Sequence, residues 1–403
     1  MRRAPALSFL LVTVFIDMLG LGLVVPIVPA LMTDLTGSAA GAARWSGLID
    51  SSYGLLQFLT APLLGRVADR YGRRPVLLLS LSCLGVNWLA HAASPTVVLL
   101  LVFHALAGLC AGSTIVVNAY IADITAPERR AAAYGLVGSA FGLGFVAGPA
   151  VGGLLGAVDV RLPFYAAAGL SLANVAYGLF VLPESRRGDR TTPLTFRTAN
   201  PVSALAAVLR RPVLGRLTLA RFGADLARMT HQVIWTFFVT YRFGWNTAQV
   251  GLTMAAGAVA GALFQARAVG PVVRVLGDKR AAVLGSAAGA VTLTATAFVT
   301  DPWMIYVLQA VGVLGGVGAA AAQSWISRAT GADEQGAVNG ALTGVGAIAE
   351  AAVPVTVGVV FAWSLTIDRP GLVFVAAGLC AVGSTVLLAT TRQERRVSEG
   401  STP

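Results

Sequence analysis

Charge is what this 403-residue chain has little of: only 12% of it is Asp, Glu, Lys or Arg. A water-soluble chain carries about 25%, so a soluble globular fold is excluded. Cysteine and histidine are scarce as well, three of each. Cys83, Cys110 and Cys380 lie far apart inside apolar stretches, which gives neither a disulfide framework nor a metal-ligand spacing. His91, His104 and His231 form no metal-ligand pattern either. No loop of the form G-x-x-x-x-G-K-[ST] is present in the sequence, so ATP does not power this chain directly. Neither cofactor, metal nor enzymatic activity is expected.

What is there is apolar: 56% hydrophobic residues, 46 glycines and a mean hydropathy of +0.76. The apolar runs are about 20 residues long, helix-sized rather than the ~10 of a barrel strand. The expectation is an all-α membrane protein of twelve transmembrane helices, at about 6–31, 46–64, 76–94, 96–121, 131–157, 162–182, 213–241, 247–268, 281–299, 302–326, 336–363 and 371–390. Arg2 and Arg3 before an apolar run mimic a signal peptide. That run reaches Leu31 and carries Pro26 and Pro29, so it reads as a first spanning helix. A polar stretch at 183–211 divides the chain into six-helix bundles at 1–182 and 212–391, followed by a tail at 392–403.

The net charge of +11 would suggest nucleic acid in a soluble protein. Here its distribution gives another reading. If alternate loops face the same side, 23 of the 29 Lys and Arg fall on the side of the termini and four, Arg44, Arg161, Arg242 and Arg369, on the other. Arg221 and Arg228 lie inside span seven. The positive-inside rule then places both termini in the cytoplasm of a bacterial inner or plasma membrane, with the bilayer and not nucleic acid as partner. "GPVVRVLGDKRAAVLG" at 270–285 echoes "GRVADRYGRRP" at 65–75, which suggests two parallel repeats with a site between them.

That first stretch reads G-x-x-x-D-R-x-G-R-R through Gly65, Asp69, Arg70, Gly72, Arg73 and Arg74. The glycines suit a tight loop, and an Asp among arginines near helix ends suits a locking ion pair. Asp123 and Arg130 flank the next cytoplasmic loop as gate partners or as solvated ends. In span five, Gly144, Gly148, Pro149, Gly152 and Gly153 fall at helical spacing, suited to a close helix contact with a kink. The loop resembles the signature of the major facilitator superfamily, and the span-five pattern resembles the antiporter motif of its drug/proton exporters. Span one, with Asp17, Gly22, Pro26 and Pro29, and the stretches "YRFGWNTAQVG" and "QGAVNGAL" resemble the tetracycline exporters. The resemblance runs over about 6–390 and implies a major facilitator fold and export rather than uptake. His104 stands where the family usually has an Arg in span four. Asn87, Gly261 and Gly289 stand where tetracycline exporters have ionisable residues.

An ionisable group inside a span is costly and is a functional candidate by default. Asp17 is one, and its place also matches the family. Arg221, Asp225 and Arg228 share one face of span seven, either as a staple or as part of the coupling site. Glu350, in "GAIAEAAVP", is preferred over Asp225 as proton carrier, because an Asp between two arginines is held charged. His104 titrates near neutrality if accessible, or packs through hydrogen bonds. Gln57, Asn87, Asn118, Arg228, His231, Gln232 and Gln323 are cavity contacts or interhelical hydrogen-bonders. Trp88 and Trp325 stack on a planar drug or, by default, only pack.

These readings converge on a secondary transporter, with a small hydrophobic substrate and protons as partners, acting as a monomer by alternating access. A facilitator or proton symporter for a metabolite, and a non-transporting membrane sensor, are the alternatives.

Overall fold

The computed structural model describes residues 4–126, 129–185, 206, 208–330 and 335–391. The expected linker at 183–211 lies mostly, and the tail at 392–403 wholly, outside the described residues. Helices dominate, and no strand occurs among the described residues. This follows from the apolar sequence, because in lipid a helix satisfies its own backbone groups. The helices are α1 (Ala4–Val24), α2 (Val28–Thr36), α3 (Ala39–Tyr71), α4 (Arg73–Ala93), α5 (Val97–Leu109), α6 (Ser113–Ile124), α7 (Arg130–Val158), α8 (Leu162–Val181), α9 (Pro212–Phe243), α10 (Thr247–Thr296), α11 (Pro302–Ala329), α12 (Gln335–Thr366) and α13 (Leu372–Thr390).

Among the described residues, nine helical stretches are long and apolar enough to cross a membrane. The expected spans differ from these in identifiable ways. The stretch Thr247–Thr296 counts once, although its helix breaks at Gly277, which adopts φ 73°. Helices α3 and α9, 33 and 32 residues long, fall short on apolarity rather than length. They carry Asp50, Ser51, Ser52 and Gln57, and the Arg221–Asp225–Arg228 stripe.

Span one is not a single helix over 6–31. It breaks after Val24 and resumes at Val28, with Pro29 in the first turn of α2. A proline lacks the N–H that a helix interior needs but is tolerated in a first turn. Span four breaks at Cys110–Gly112 into α5 and α6. The loop between spans two and three is shorter than expected. Asp69 and Arg70 complete α3, Arg73 opens α4, and only Gly72 lies between, at φ 104°.

Two compact units emerge from the contacts. The first comprises residues 1–199, 229–262 and 347–373, and the second 200–228, 263–346 and 374–403. One core of the first unit gathers Phe9, Leu77, Leu81, Tyr120 and Ile121 from α1, α4 and α6. One core of the second gathers Leu217, Ala282, Ala321, Trp325 and Ala341 from α9 to α12.

Candidate functional site

Polar groups inside the first unit collect around Tyr53. Asp50, Tyr53 and Gln57 recur at i, i+3 and i+7 on α3 and so share one face. The His104 ring, from α5, lies 4.9 Å from the Tyr53 ring. Its Nδ1 is 3.2 Å from Asn87 Oδ1, and its Nε2 is 3.9 Å from Asp50 Oδ1. Asn87, on α4, is 1% exposed. One turn further along α4, His91 Nδ1 approaches the Asn87 carbonyl at 2.9 Å, and the His91 ring stacks on Phe164. Asp17 and Glu350 both lie within electrostatic reach of Tyr53. Asp17 is buried on α1 near Ser113, and its Oδ1 has no hydrogen-bonding partner. Ser113 opens α6, just after the break in span four. Glu350 is exposed on α12, and its backbone runs against Gly54, where a Cβ would come within 2.8 Å of the Glu350 carbonyl oxygen. One turn further on, Val355 N–H donates to Ser51 Oγ at 2.9 Å.

The glycines of span five serve two neighbours. A Cβ on Gly144 would come within 2.5 Å of the Phe15 carbonyl oxygen, and one on Gly148 within 2.5 Å of Gly22 Cα. A Cβ on Gly152 would run into the Leu23 carbonyl. These three, four residues apart, form the seam that seats α1 on α7. On another face, a Cβ on Gly153 would come within 2.5 Å of the Thr247 carbonyl oxygen, and Pro149 sits against Gly251, both at the start of α10. Thr247 Oγ1 also donates to the Gly153 carbonyl at 3.1 Å.

The charged loop is a set of pairs within the first unit. Arg73, 7% exposed, binds Asp69 at 2.6 Å and Asp123 at 3.3 Å. Glu184 Oε1 accepts from the Arg73 backbone N–H at 2.8 Å, and Oε2 from that of Arg74 at 3.2 Å. Both carboxylate oxygens thus cap the start of α4, where the helix dipole favours an anion. A Cβ on Gly72 would run into this carboxylate. Gly65 is different: it lies inside α3, where a Cβ would meet only Ile115 at 3.9 Å, so the loop does not require it. Arg70 lies over the Tyr71 ring, and the Arg74 guanidinium donates to the Leu179 carbonyl. Arg130 caps the end of α6 by donating to the Ala122 and Thr125 carbonyls.

The echo in the second half has a counterpart here. Gly277 again adopts a positive φ, and the residue after it, Asp278, is 3% exposed and binds Arg328 at 3.0 Å. Arg73 and Asp123 are 50 residues apart, and so are Asp278 and Arg328. The acid and the base have exchanged places.

With this geometry in view, the relatives are informative. The profile of the Major Facilitator Superfamily matches residues 10–354 and again 217–403. The chain belongs to the Major Facilitator Superfamily. It is 36% identical to the class C tetracycline resistance protein of Escherichia coli, over 90% of this chain and 91% of that one. It is 34% identical to the class G tetracycline resistance protein of Vibrio anguillarum, over 85% and 86%. Among solved structures, a bacterial homologue of the human lysosomal transporter Spinster, inward-facing and unoccupied, superposes with a TM-score of 0.74 at 16% identity, covering 97% of this chain and 95% of that one. The superfamily fold, an all-α multi-pass membrane protein of the bacterial inner membrane, is thereby established for this chain.

The remaining candidates of this superfamily member separate between the units. In the second, Asp225 is 4% exposed and is held by Arg221 at 2.8 Å and by Arg228 at 3.5 Å, while Arg221 also donates to Gln323 at 3.3 Å. Gln57, Asn118, His231 and Gln232 belong to the first unit, where His231 lies 6.3 Å from the Trp235 ring. Asn118 is exposed on α6. Trp88 and Trp325 are buried in packing at 4% and 3% exposure, so neither presents a face to a drug in this structure. The sequence reading missed Glu184, Ser113, Tyr53 and Asp50. Of these, Asp50 carried a legible signal, an acid inside the apolar run "LIDSSYGLL".

Proposed function

We propose that this transporter exports a hydrophobic, planar polycyclic compound of the tetracycline type in exchange for protons. The observation that carries the reading is that Asp17, buried on α1 with one carboxylate oxygen unpartnered, and Glu350 of α12 both lie within electrostatic reach of Tyr53. A proton carrier has to alternate between charged and neutral forms as access changes sides, and of the two only Asp17 is buried while Glu350 is exposed. The relatives named for tetracycline resistance support the substrate class. The absence of ionisable residues at Asn87, Gly261 and Gly289 keeps the proposal at that class rather than at tetracycline itself.

The proposed architecture is twelve spans in two six-helix bundles, 1–182 and 212–391, joined at 183–211. Both termini are cytoplasmic, following the arginines. The working form is a monomer, with neither nucleic acid nor enzymatic chemistry involved.

The test is tetracycline uptake into everted membrane vesicles driven by an imposed pH gradient, with protein level measured beside it. Accumulation against the gradient is expected in the parent. Asp17→Asn and Glu350→Gln each lose it while keeping downhill exchange, because an amide does not titrate. Downhill flux without accumulation in the parent points to a facilitator. The absence of any flux, with tetracycline and other polycyclic probes alike, points to a sensor.

A further inference from the structure

Asp50 of α3 and His104 of α5 bring a carboxylate and an imidazole to an ion-pair distance inside the first unit. His104 Nδ1 lies 3.2 Å from the side-chain oxygen of Asn87. With Asn87 Oδ1 toward the ring, which only accepts, Nδ1 carries the hydrogen of that bond and Nε2 is the nitrogen that gains or loses a proton. Asn87 is buried, and its Nδ2 has no hydrogen-bond partner among the described residues. Nε2 faces Asp50 Oδ1 at 3.9 Å, an ion-pair distance that a small side-chain rotation or one water turns into a hydrogen bond. The two ends of the pair differ in access. The His104 side chain is 14% exposed and that of Asp50 48%. The carboxylate is therefore the more exposed end of the pair and the imidazole the more enclosed.

Each neighbouring element contributes to the field around the pair. Tyr53, on the same face of α3, packs its ring against His104. His91 of α4 lies with its ring 5.3 Å from that of His104, and its Nδ1 is occupied by the Asn87 carbonyl. Beyond Tyr53 lie Cys110 at the end of α5, Asp17 of α1 and Glu350 of α12. The nearest full charge to His104 on this list is Asp50. An imidazolium alone in an apolar span is costly, and one beside a carboxylate is part of a neutral pair.

We propose that Asp50 and His104 form a second proton-exchanging pair of this transporter, distinct from Asp17 and Glu350. It rests on the proton-coupled reading above. In the step, an N–H bond forms at Nε2 as an O–H bond of a hydronium ion breaks, and the pair passes from one negative charge to neutral. The return step gives the proton back to water on the other side, and the pair is again negative. Asn87 is a positioning residue: it holds the hydrogen at Nδ1 so that the exchangeable proton sits at Nε2.

The chain has only three histidines, which makes a direct test practical. The full-length protein, with isotope-labelled histidine, is reconstituted in lipid nanodiscs without substrate. Its imidazole resonances are followed by NMR as pH is changed, with His104→Gln supplying the assignment. We expect the His104 signal to titrate, and Asp50→Asn to weaken its proton affinity about tenfold or more. Asp50→Glu should restore it, and the His231 signal should not move. An unchanged His104 midpoint in Asp50→Asn, or no titration in the parent, overturns the pair. The second arm is tetracycline uptake by proteoliposomes under a pH gradient. Loss of uphill uptake with retained counterflow in Asp50→Asn and His104→Gln supports the coupling role. Uphill uptake at the parental rate in both variants overturns that role and leaves the export reading intact. A parent that accumulates no tetracycline while the Asp50-dependent titration persists overturns the export reading and leaves the proton pair.

Discussion

Alanine at Gly148 should damage this protein, whereas alanine at Gly142, on the same helix, should not. A Cβ at Gly148 would stand 2.5 Å from Gly22 Cα, 2.7 Å from Gly22 C and 2.8 Å from the Leu19 carbonyl oxygen. Carbon atoms in contact prefer about 3.5–4.0 Å, so α1 and α7 must part by roughly 1 Å. Both neighbours are backbone, so no rotamer change relieves the clash. Overpacking of this kind costs about 1–3 kcal/mol. Replacing a helical glycine by alanine returns about 1 kcal/mol through backbone entropy. At Gly142 no atom lies within 4 Å of the added methyl, and only the favourable part remains. The effect on transport should exceed the effect on stability. Gly22 lies five residues beyond Asp17 on α1, and a displacement of about 1 Å in a site can cost roughly 100-fold in rate. The assay is thermal unfolding of the purified protein beside pH-driven uptake into vesicles. Gly148→Ala should unfold a few degrees lower and pump at least about tenfold more slowly, with Gly142→Ala at or above the parent in both. Equal behaviour of the two variants would refute a tight α1–α7 seam.

Asp225→Asn should lower the yield of folded protein by removing the counter-charge of Arg221. The expected cost is about 1–3 kcal/mol, below the 3–5 of a fully buried pair, because the arginine side chains are 37% and 56% exposed. Adding Arg221→Gln should recover part of the yield, as read by fluorescence-detected size-exclusion chromatography. In the second half, Asp278→Arg should abolish transport, and Arg328→Asp in the same chain should restore much of it. The equivalent exchange of Arg73 and Asp123 should rescue less, since an acid at 73 would face Asp69 and Glu184.

The spans were legible because apolar length is a backbone requirement in lipid and appears in any window of sequence. Their breaks were less so. Pro26 and Pro29 marked the break in span one. Cys110–Gly112 carries only one glycine to mark the break in span four. The loop was legible as a motif and misread in shape. The spans at 46–64 and 76–94 leave 65–75 as a loop, whereas α3 runs on to Tyr71 and only Gly72 carries the reversal. Glu184 was read as part of a polar linker, because nothing near it in sequence reveals that it caps a helix beginning 111 residues earlier.

The same distinction between local and long-range signals explains what was read of the site. Asp17, Glu350 and His104 stood out singly, since each is an ionisable group in an apolar run. Their convergence on Tyr53 did not, because it depends on Gly54 letting α12 approach α3 and on the α1–α7 seam fixing the depth of α1. Small residues thus determine which charges meet, and the charges determine what the meeting can do. If Asp17 carries the proton as proposed, a change in the seam that displaces α1 should perturb coupling without touching a titratable atom.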